Sequence, residues 1–175
     1  YLKRVKHGNR SPYYADPASP YDPQPPPNNE HFFELVFDYG EHDAAIPTPD
    51  EAVNQSWNYR PDAFSHYRAG FEIRTNRLCK CILMFHHFKE EADFGENYLV
   101  RSLNLAYESS SKDTPQKSEV TYLKSITQTG YIRKPDNTYS GKSLPPMEFE
   151  YQRLNWSREI KSVSRDNIVN APVGL

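Results

Sequence analysis

The sequence predicts an all-β fold, built of antiparallel strands and hairpins that contribute to a larger sheet and are joined by long proline-rich loops. Three observations carry this expectation. Fifteen prolines stand against seven glycines in 175 residues, and a residue with no N–H and a fixed φ makes long helices untenable at that density. Thirteen tyrosines and nine phenylalanines favour pleated, half-buried strands and lose little rotamer entropy on ordering, which also weighs against disorder. Short runs of strict apolar/polar alternation recur along the chain. The length is that of one domain: a β-rich unit over residues 1–152, with 11–30 a proline-rich connector and 153–175 a linker toward a following segment.

Residues 1–10 hold Lys3, Arg4, Lys6 and Arg10 and no acid. Pro12, Pro17, Pro20, Pro23, Pro25, Pro26 and Pro27 then preclude both ladder and helix. From Glu30 to Glu51 the balance reverses, with seven acids and no Lys or Arg. Within it Phe33, Leu35, Phe37 and Tyr39 alternate with Glu34 and Asp38, so 31–39 reads as a strand. Phe71–Phe88 reads as two strands with a turn near Thr75-Asn76. The second, from Leu78, is apolar on both faces and is expected to be covered on both sides. Leu99–Glu108 alternates cleanly, Ser109–Pro115 breaks as a flexible loop, and Tyr122–Arg133 is a further strand. Lys134–Asn137 turns the chain back, and Met147, Phe149 and Tyr151 alternate with Glu148 and Glu150 after Pro145-Pro146.

A weak internal repeat underlies this layout. Leu2-Lys3-Arg4-Val5 and Leu123-Lys124-Ser125-Ile126 resemble each other, and Leu78-Cys79-Lys80-Cys81-Ile82 is a looser third copy. Each is followed, after a variable loop, by an apolar-x-apolar-x-Tyr segment ending at Tyr39, Tyr107 or Tyr151. Three strand pairs of one kind predict a sheet that grows by repetition and needs neighbours to cover its apolar face.

Chemistry finds little support. The net charge of −2 supplies no field toward nucleic acid or an anionic membrane. No apolar run approaches the roughly 20 residues that cross a bilayer, and Tyr1-Leu2-Lys3-Arg4 carries no signal-peptide core, so the chain reads as a segment of something longer. Cys79, Cys81, His86 and His87 invite a metal reading. Along one strand, however, Cys79 and His87 lie about 26 Å apart at roughly 3.3 Å per residue, too far for one ion. Asp38–Asp43 is acidic but lacks the D-x-D-x-D-G spacing of a calcium loop. Ser65, His66 and Asp62 are sequence neighbours without a nucleophile elbow, and no glycine-rich phosphate cradle occurs. No catalytic residue, metal site or cofactor is therefore expected. Arg60, Arg68, Arg74, Arg77 and Lys80, interleaved with aromatics, have the make-up of a strand-stacking surface, but near-neutrality favours their pairing with the acidic 30–51 stretch. The density of Arg60, Asp62, Phe64, Tyr67, Arg68, Gly70 and Phe71 still predicts an ordered corner, a candidate structural or partner-contact site over 57–74, with Gly70 permitting a bend.

Residues Arg60–Ser65, Tyr67-Arg68-Ala69-Gly70-Phe71-Glu72-Ile73-Arg74-Thr75 and Arg77-Leu78-Cys79, running into Leu83-Met84-Phe85-His86-His87-Phe88, resemble the middle region of the B component of bacterial insecticidal toxin complexes, the TcdB/TcaC type. Leu99-Val100-Arg101-Ser102, Ile126–Tyr131, Ser143–Phe149 and Pro172–Leu175 fit the same family, so the resemblance covers nearly the whole chain. Departures lie at Asn54–Asn58 and near Ser109–Ser118. The likeness is to the N-terminal part of that region, found in proteins whose first section is similar to the Salmonella plasmid virulence protein SpvB. It implies a secreted, extracellular, multi-component toxin in which B and C components build a hollow β-sheet shell around a toxic part of C, and an A component docks to translocate it. It implies as partners the C component, the A component and the rest of the B chain. The ADP-ribosyltransferase activity of SpvB belongs to its other end and is not carried over.

Overall fold

Opposite charge brings the first two strands together. The computed structural model describes residues 1–12, 18, 31–108, 120–152, 159–162 and 164; most of the proline-rich connector, the 109–115 loop and most of the 153–175 linker lie outside the described residues. Among the described residues nine strands follow in order: β1 Arg4–Asn9, β2 His31–Asp38, β3 Tyr59–His66, β4 Ile73–Arg77, β5 Cys81–Phe88, β6 Gly95–Tyr107, β7 Leu123–Arg133, β8 Tyr139–Ser143 and β9 Met147–Glu148. The basic β1 lies antiparallel on the acidic β2, and Arg4 reaches Glu34 at 3.3 Å and Asp50 at 2.9 Å. Among the described residues there is no helix, so none is long and apolar enough to cross a membrane.

Seven strands form one antiparallel sheet in the order β1-β2-β5-β6-β7-β8, with β9 also on β7, while β3 and β4 make a separate two-stranded ribbon. A single row crosses the large sheet through Arg4, Val36, Leu83, Ser102, Thr129 and Ser143. Its middle is the core, where Val36, Cys81, Leu83, Phe85 and Leu99 are buried and Tyr131 and Tyr139 pack against them. Beyond Leu83 the same face becomes polar, and its buried hydroxyls satisfy one another. Ser102 bonds the Tyr131 hydroxyl at 2.9 Å, Thr129 bonds Ser143 at 2.9 Å, and the Asn104 amide donates to both Ser102 and Thr129. Unpaired, these groups would each cost about 1–3 kcal/mol.

Each of the three repeated segment pairs is a strand pair, and all share one register. Val5 opposes Leu35, Ile82 opposes Leu103, and Ile126 opposes Met147. The next amide along donates to the matching lysine carbonyl: Phe37 to Lys3 at 2.8 Å, Leu105 to Lys80 at 2.8 Å, Phe149 to Lys124 at 2.9 Å. The closing tyrosine then reaches back across the pair. Tyr39 donates to the Leu2 carbonyl at 2.8 Å, Tyr107 to that of Cys79 at 2.7 Å and Tyr151 to that of Leu123 at 2.9 Å.

Several expectations are corrected. The 71–88 segment does hold two strands, but β4 runs straight through Thr75-Asn76 and the break falls at 78–80, where Lys80 donates to Asp38 and accepts from Leu105. The two strands do not pair, because Arg77 is drawn toward Glu41 while Cys81 enters the core sheet. The 57–74 corner is largely a strand hairpin, and β8 is a strand without strong alternation, held by its ladder to β7. Among the described residues, β5 is not covered on both sides. Cys81, Leu83 and Phe85 are buried, but Ile82 and Met84 on the other face are half-buried, as are Leu35, Phe37, Leu103, Leu105 and Ile126 beside them.

The locks and the core give graded stabilities. Tyr39→Phe and Tyr107→Phe are each expected to cost about 1 kcal/mol in urea unfolding, Tyr151→Phe on its more exposed ring about half that, and Phe85→Ala about 3–5 kcal/mol.

Candidate partner-contact hairpin

The ribbon of β3 and β4 carries every residue of the expected corner. Pro61 has no amide to offer, and the register between Tyr59 and Phe64 shifts around it, as expected of an edge strand. At the base, Arg60 holds Asp62 with two bonds of 2.8 and 3.1 Å and lies over the Phe64 ring at 5.0 Å. Asp62 also accepts from the Thr121 amide at 2.8 Å and hydroxyl at 2.6 Å, which ties the ribbon to the segment leading into β7. The Arg60 guanidinium, and after it Thr121, therefore holds the Asp62 carboxyl well below the usual carboxylate range, against the opposing effect of desolvation.

At the tip the Gly70 amide donates to the Tyr67 carbonyl at 3.0 Å, and Gly70 sits at φ 81°. A Cβ there would meet nothing within 4 Å, so the backbone conformation and not space calls for glycine. Ser65 donates to Glu72 at 2.6 Å and closes the turn. Tyr67 is 66% exposed, Phe71 64% and Phe64 50%, and Arg68 is also exposed. The corner thus divides into a clamped base of Arg60, Asp62 and Phe64, and an open tip of Tyr67, Arg68 and Phe71.

The acidic stretch is answered mainly by the N-terminal bases. Glu41, buried, takes Lys3 at 2.5 Å and Arg77 at 2.8 Å. Arg77 is the one arginine of the corner set that an ion pair joins to this stretch among the described residues; its guanidinium lies 3.7 Å from the Tyr1 ring centroid and 4.6 Å from that of Trp57. Arg60 is instead spent on Asp62. Thr121, Glu41 and the two flanking rings were invisible to spacing arguments, since each acts from a distant part of the chain. The clustering of opposite charges in 1–10 and 30–51 was the available signal.

Asp38, Glu41 and His42 come together closely enough to suggest a cation site, but Asp38 Oδ1, both Glu41 oxygens and both His42 ring nitrogens already have hydrogen-bond partners. One Asp38 oxygen accepts from the amides of Gly40, Glu41 and His42. His42 Nδ1 lies 3.0 Å from the Thr48 carbonyl, so it is the donor, and Nε2 accepts from the Lys3 ammonium at 3.2 Å. The thiols are likewise occupied: Cys81 donates to the Asn104 side-chain oxygen at 3.2 Å and Cys79 approaches the Cys81 carbonyl at 3.5 Å. Burial pushes Cys79 up to about 11 and Cys81 to about 12. His87 pairs with Glu34 at 3.1 Å, and His86 packs between Phe33 and Phe88. A cleft of about 390 Å³ separates the ribbon from the sheet, bounded by Tyr39, Tyr107, Arg60, Ile73 and Cys79. Its described lining includes the two locking tyrosines, Tyr39 and Tyr107.

Comparison with known proteins gives these features a setting. Residues 1–88 match the family model described as SpvB, Salmonella virulence plasmid 65kDa B protein. The mono(ADP-ribosyl)transferase SpvB of Salmonella typhimurium is 37% identical over 145 residues, covering 78% of this chain and 22% of the relative; the Salmonella dublin protein gives the same figures. The chain thus spans about a fifth of the length of these relatives. Among solved structures, a chain of TcdB2-TccC3 aligns with a TM-score of 0.61 and 32% identity over 89% of this chain and 7% of that one. The Photorhabdus luminescens Tc holotoxin pore gives 0.59 and 35% over 87% of this chain and 7% of that one. The N-terminal domain of SpvB from Salmonella typhimurium strain LT2 gives 0.55 and 38% over 75% of this chain and 38% of that one.

The Asp62 clamp predicts an acid-sensitive ribbon. A carboxyl held below its ordinary value stabilises fully above the unfolded-state pKa, about 3.9, and that stabilisation is lost as the pH falls from there through the depressed folded value. Amide hydrogen exchange over 59–77 is expected to quicken in that acid window. Asp62→Asn should lose about tenfold in protection at neutral pH and show little further acid dependence.

Proposed function

The chain belongs to the SpvB family, and from that premise we propose that it is a non-enzymatic structural module of a secreted toxin-complex B component, its sheet forming part of a β-walled shell that encloses a toxic C component and helps deliver it. The likeness to TcdB2-TccC3 and to the SpvB N-terminal domain supports a structural domain of toxin-complex type. The observation that carries the finer reading is the half-exposed apolar face formed by Leu35, Ile82, Met84, Leu103 and Ile126 across strands locked in a repeating register. Such a face gains about 25 cal/mol per Å² of apolar area when a neighbouring layer covers it. Polar groups in the cleft and the thiols are turned to structural bonds, which agrees with containment and not turnover.

A second reading rests on the hairpin tip. Tyr67, Arg68 and Phe71 are exposed side chains of the kind that anchor protein or glycan partners. On this reading Arg68→Ala with Phe71→Ala lowers affinity for the A or C component while the thermal melt is unchanged; a lowered melt assigns these residues to structure instead.

The wall reading is tested in a TcdB2 chimera that carries this chain in place of its matching segment, co-expressed with TccC3. Met84→Lys with Leu103→Lys is expected to shift the urea stability of the 175-residue chain by about 1 kcal/mol or less, since long stems reach water from a half-exposed face. In the chimera the same pair should abolish assembly and expose the TccC3 cargo to protease, because a closed layer leaves both charges unsolvated. Normal assembly and undiminished protection would overturn the wall.

A further inference from the structure

One end of the half-exposed face is built of aromatic and imidazole rings where the rest is aliphatic. His7 on β1, Phe33 on β2 and His86 on β5 stand opposite one another in a single row across three strands. The His7 ring stacks on that of Phe33 at 4.9 Å between centroids, while His86 meets Phe33 edge-on at 5.0 Å and Phe88 at 5.5 Å. Residues directly opposite in an antiparallel ladder are held within contact of each other. The two imidazoles are therefore kept on either side of one phenyl ring for as long as the three strands stay paired.

The titratable and charged groups that bear on His86 are all bases: His87 beside it on β5, Arg101 from β6 and His7 from β1. Glu34, the carboxylate next to Phe33 in β2, points to the opposite face and is taken there by His87 at 3.1 Å and Arg4 at 3.3 Å. Glu90, just past β5, is taken by Arg10, whose guanidinium lies over the Phe32 ring. A phenyl face attracts a cation, but the Phe33 ring is shared between two imidazoles, and Arg101 and His87 oppose any charge gained. Burial first, and then His87, Arg101 and His7, disfavour the imidazolium and hold His86 below the ordinary histidine value. From this geometry we infer that the His7–Phe33–His86 row is a proton-operated latch, which holds β1, β2 and β5 together at one end of the apolar face while His86 is neutral and loosens when His86 takes up a proton. A base held below its unfolded-state pKa, about 6.5 for histidine, stabilises fully above that value, and the stabilisation is lost as the pH falls from there through the depressed folded one. The window lies well above the one that governs the Asp62 clamp. The latch goes beyond the wall reading and does not require it, because its three rings belong to this chain. A layer laid over the face would bury His86 further and displace it in the same direction.

Proton NMR of the imidazole Cε1–H signals in the 175-residue chain tests this, together with urea unfolding at about pH 7.5 and about pH 5.5, on either side of the ordinary histidine value. His86 is expected to titrate below about 6.5, and His7→Phe, which keeps a stacked ring and removes a base, should raise its midpoint. The urea midpoint of the wild-type chain should fall on acidification, and His86→Phe should lessen that fall. Amide protection, corrected for intrinsic exchange, should be lost over 31–37 before it is lost over 125–131. A His86 midpoint at or above 6.5, a midpoint unmoved by His7→Phe, an undiminished fall in His86→Phe, or protection lost equally in both segments overturns the inference. Should His86→Phe fail to fold, Arg101→Gln takes its place: a raised His86 midpoint supports the latch and an unmoved one overturns it. Because the chimera assay reads cover of the sheet face and this one reads a proton at its end, either reading can fail while the other stands.

Discussion

The interaction on which the fold depends is a tyrosine hydroxyl reaching across a strand pair to a main-chain carbonyl three residues before the opening strand's last apolar position. It occurs at Tyr39, Tyr107 and Tyr151. A strand slipped by one residue would carry the ring to the opposite face, so the bond can be made only in one register. Register in turn decides which side chains share the core row, and hence that Leu83 lies between Val36 and Ser102. The phenols at Tyr39 and Tyr107 are pushed upward by burial, Tyr107 to about 12, which keeps them protonated and able to donate.

Charge fixes what the tyrosines leave open. The 40–58 connection has little apolar content to fold upon, yet it is pinned by Lys3 and Arg77 on Glu41 and by Arg4 on Asp50. Burial raises the Glu34 carboxyl, but His87, Lys6 and Arg4 together outweigh that and hold it below its ordinary value. Isolated surface pairs contribute little; here the acids at 34 and 41 are buried and each has two cationic or hydrogen-bonding partners, so losing either partner leaves a charge poorly solvated.

Much of this was legible in the sequence where the signal is local. Alternation marks β2, the second half of β6 and the segment that holds β9, and the similarity of Leu2–Val5, Leu78–Ile82 and Leu123–Ile126 marks three strand pairs of one kind without fixing their register. The misplaced turn at Thr75-Asn76 shows the limit. Asn invites a turn, but Arg77 and Thr75 are held in extended form by β3, a partner strand that reads locally as a loop because Pro61 and Asp62 interrupt its pattern. Arg60 shows the same limit for the site: electroneutrality is satisfied by any acid, and the nearest, two residues away, prevailed over the distant stretch. The tip residues Tyr67, Arg68 and Phe71 were marked by composition alone, and their exposure follows from a turn that Gly70 makes possible.

The two thiols have a consequence for the chemistry of this sheet. With ionisation displaced to about 11 and 12 by burial, Cys79 and Cys81 hold almost no thiolate at neutral pH, and thiolate is the species that oxidants and disulfides attack. Neither sulfur is part of any covalent link, so reduction removes nothing from the fold. Reducing or oxidising surroundings are therefore expected to leave this sheet unchanged.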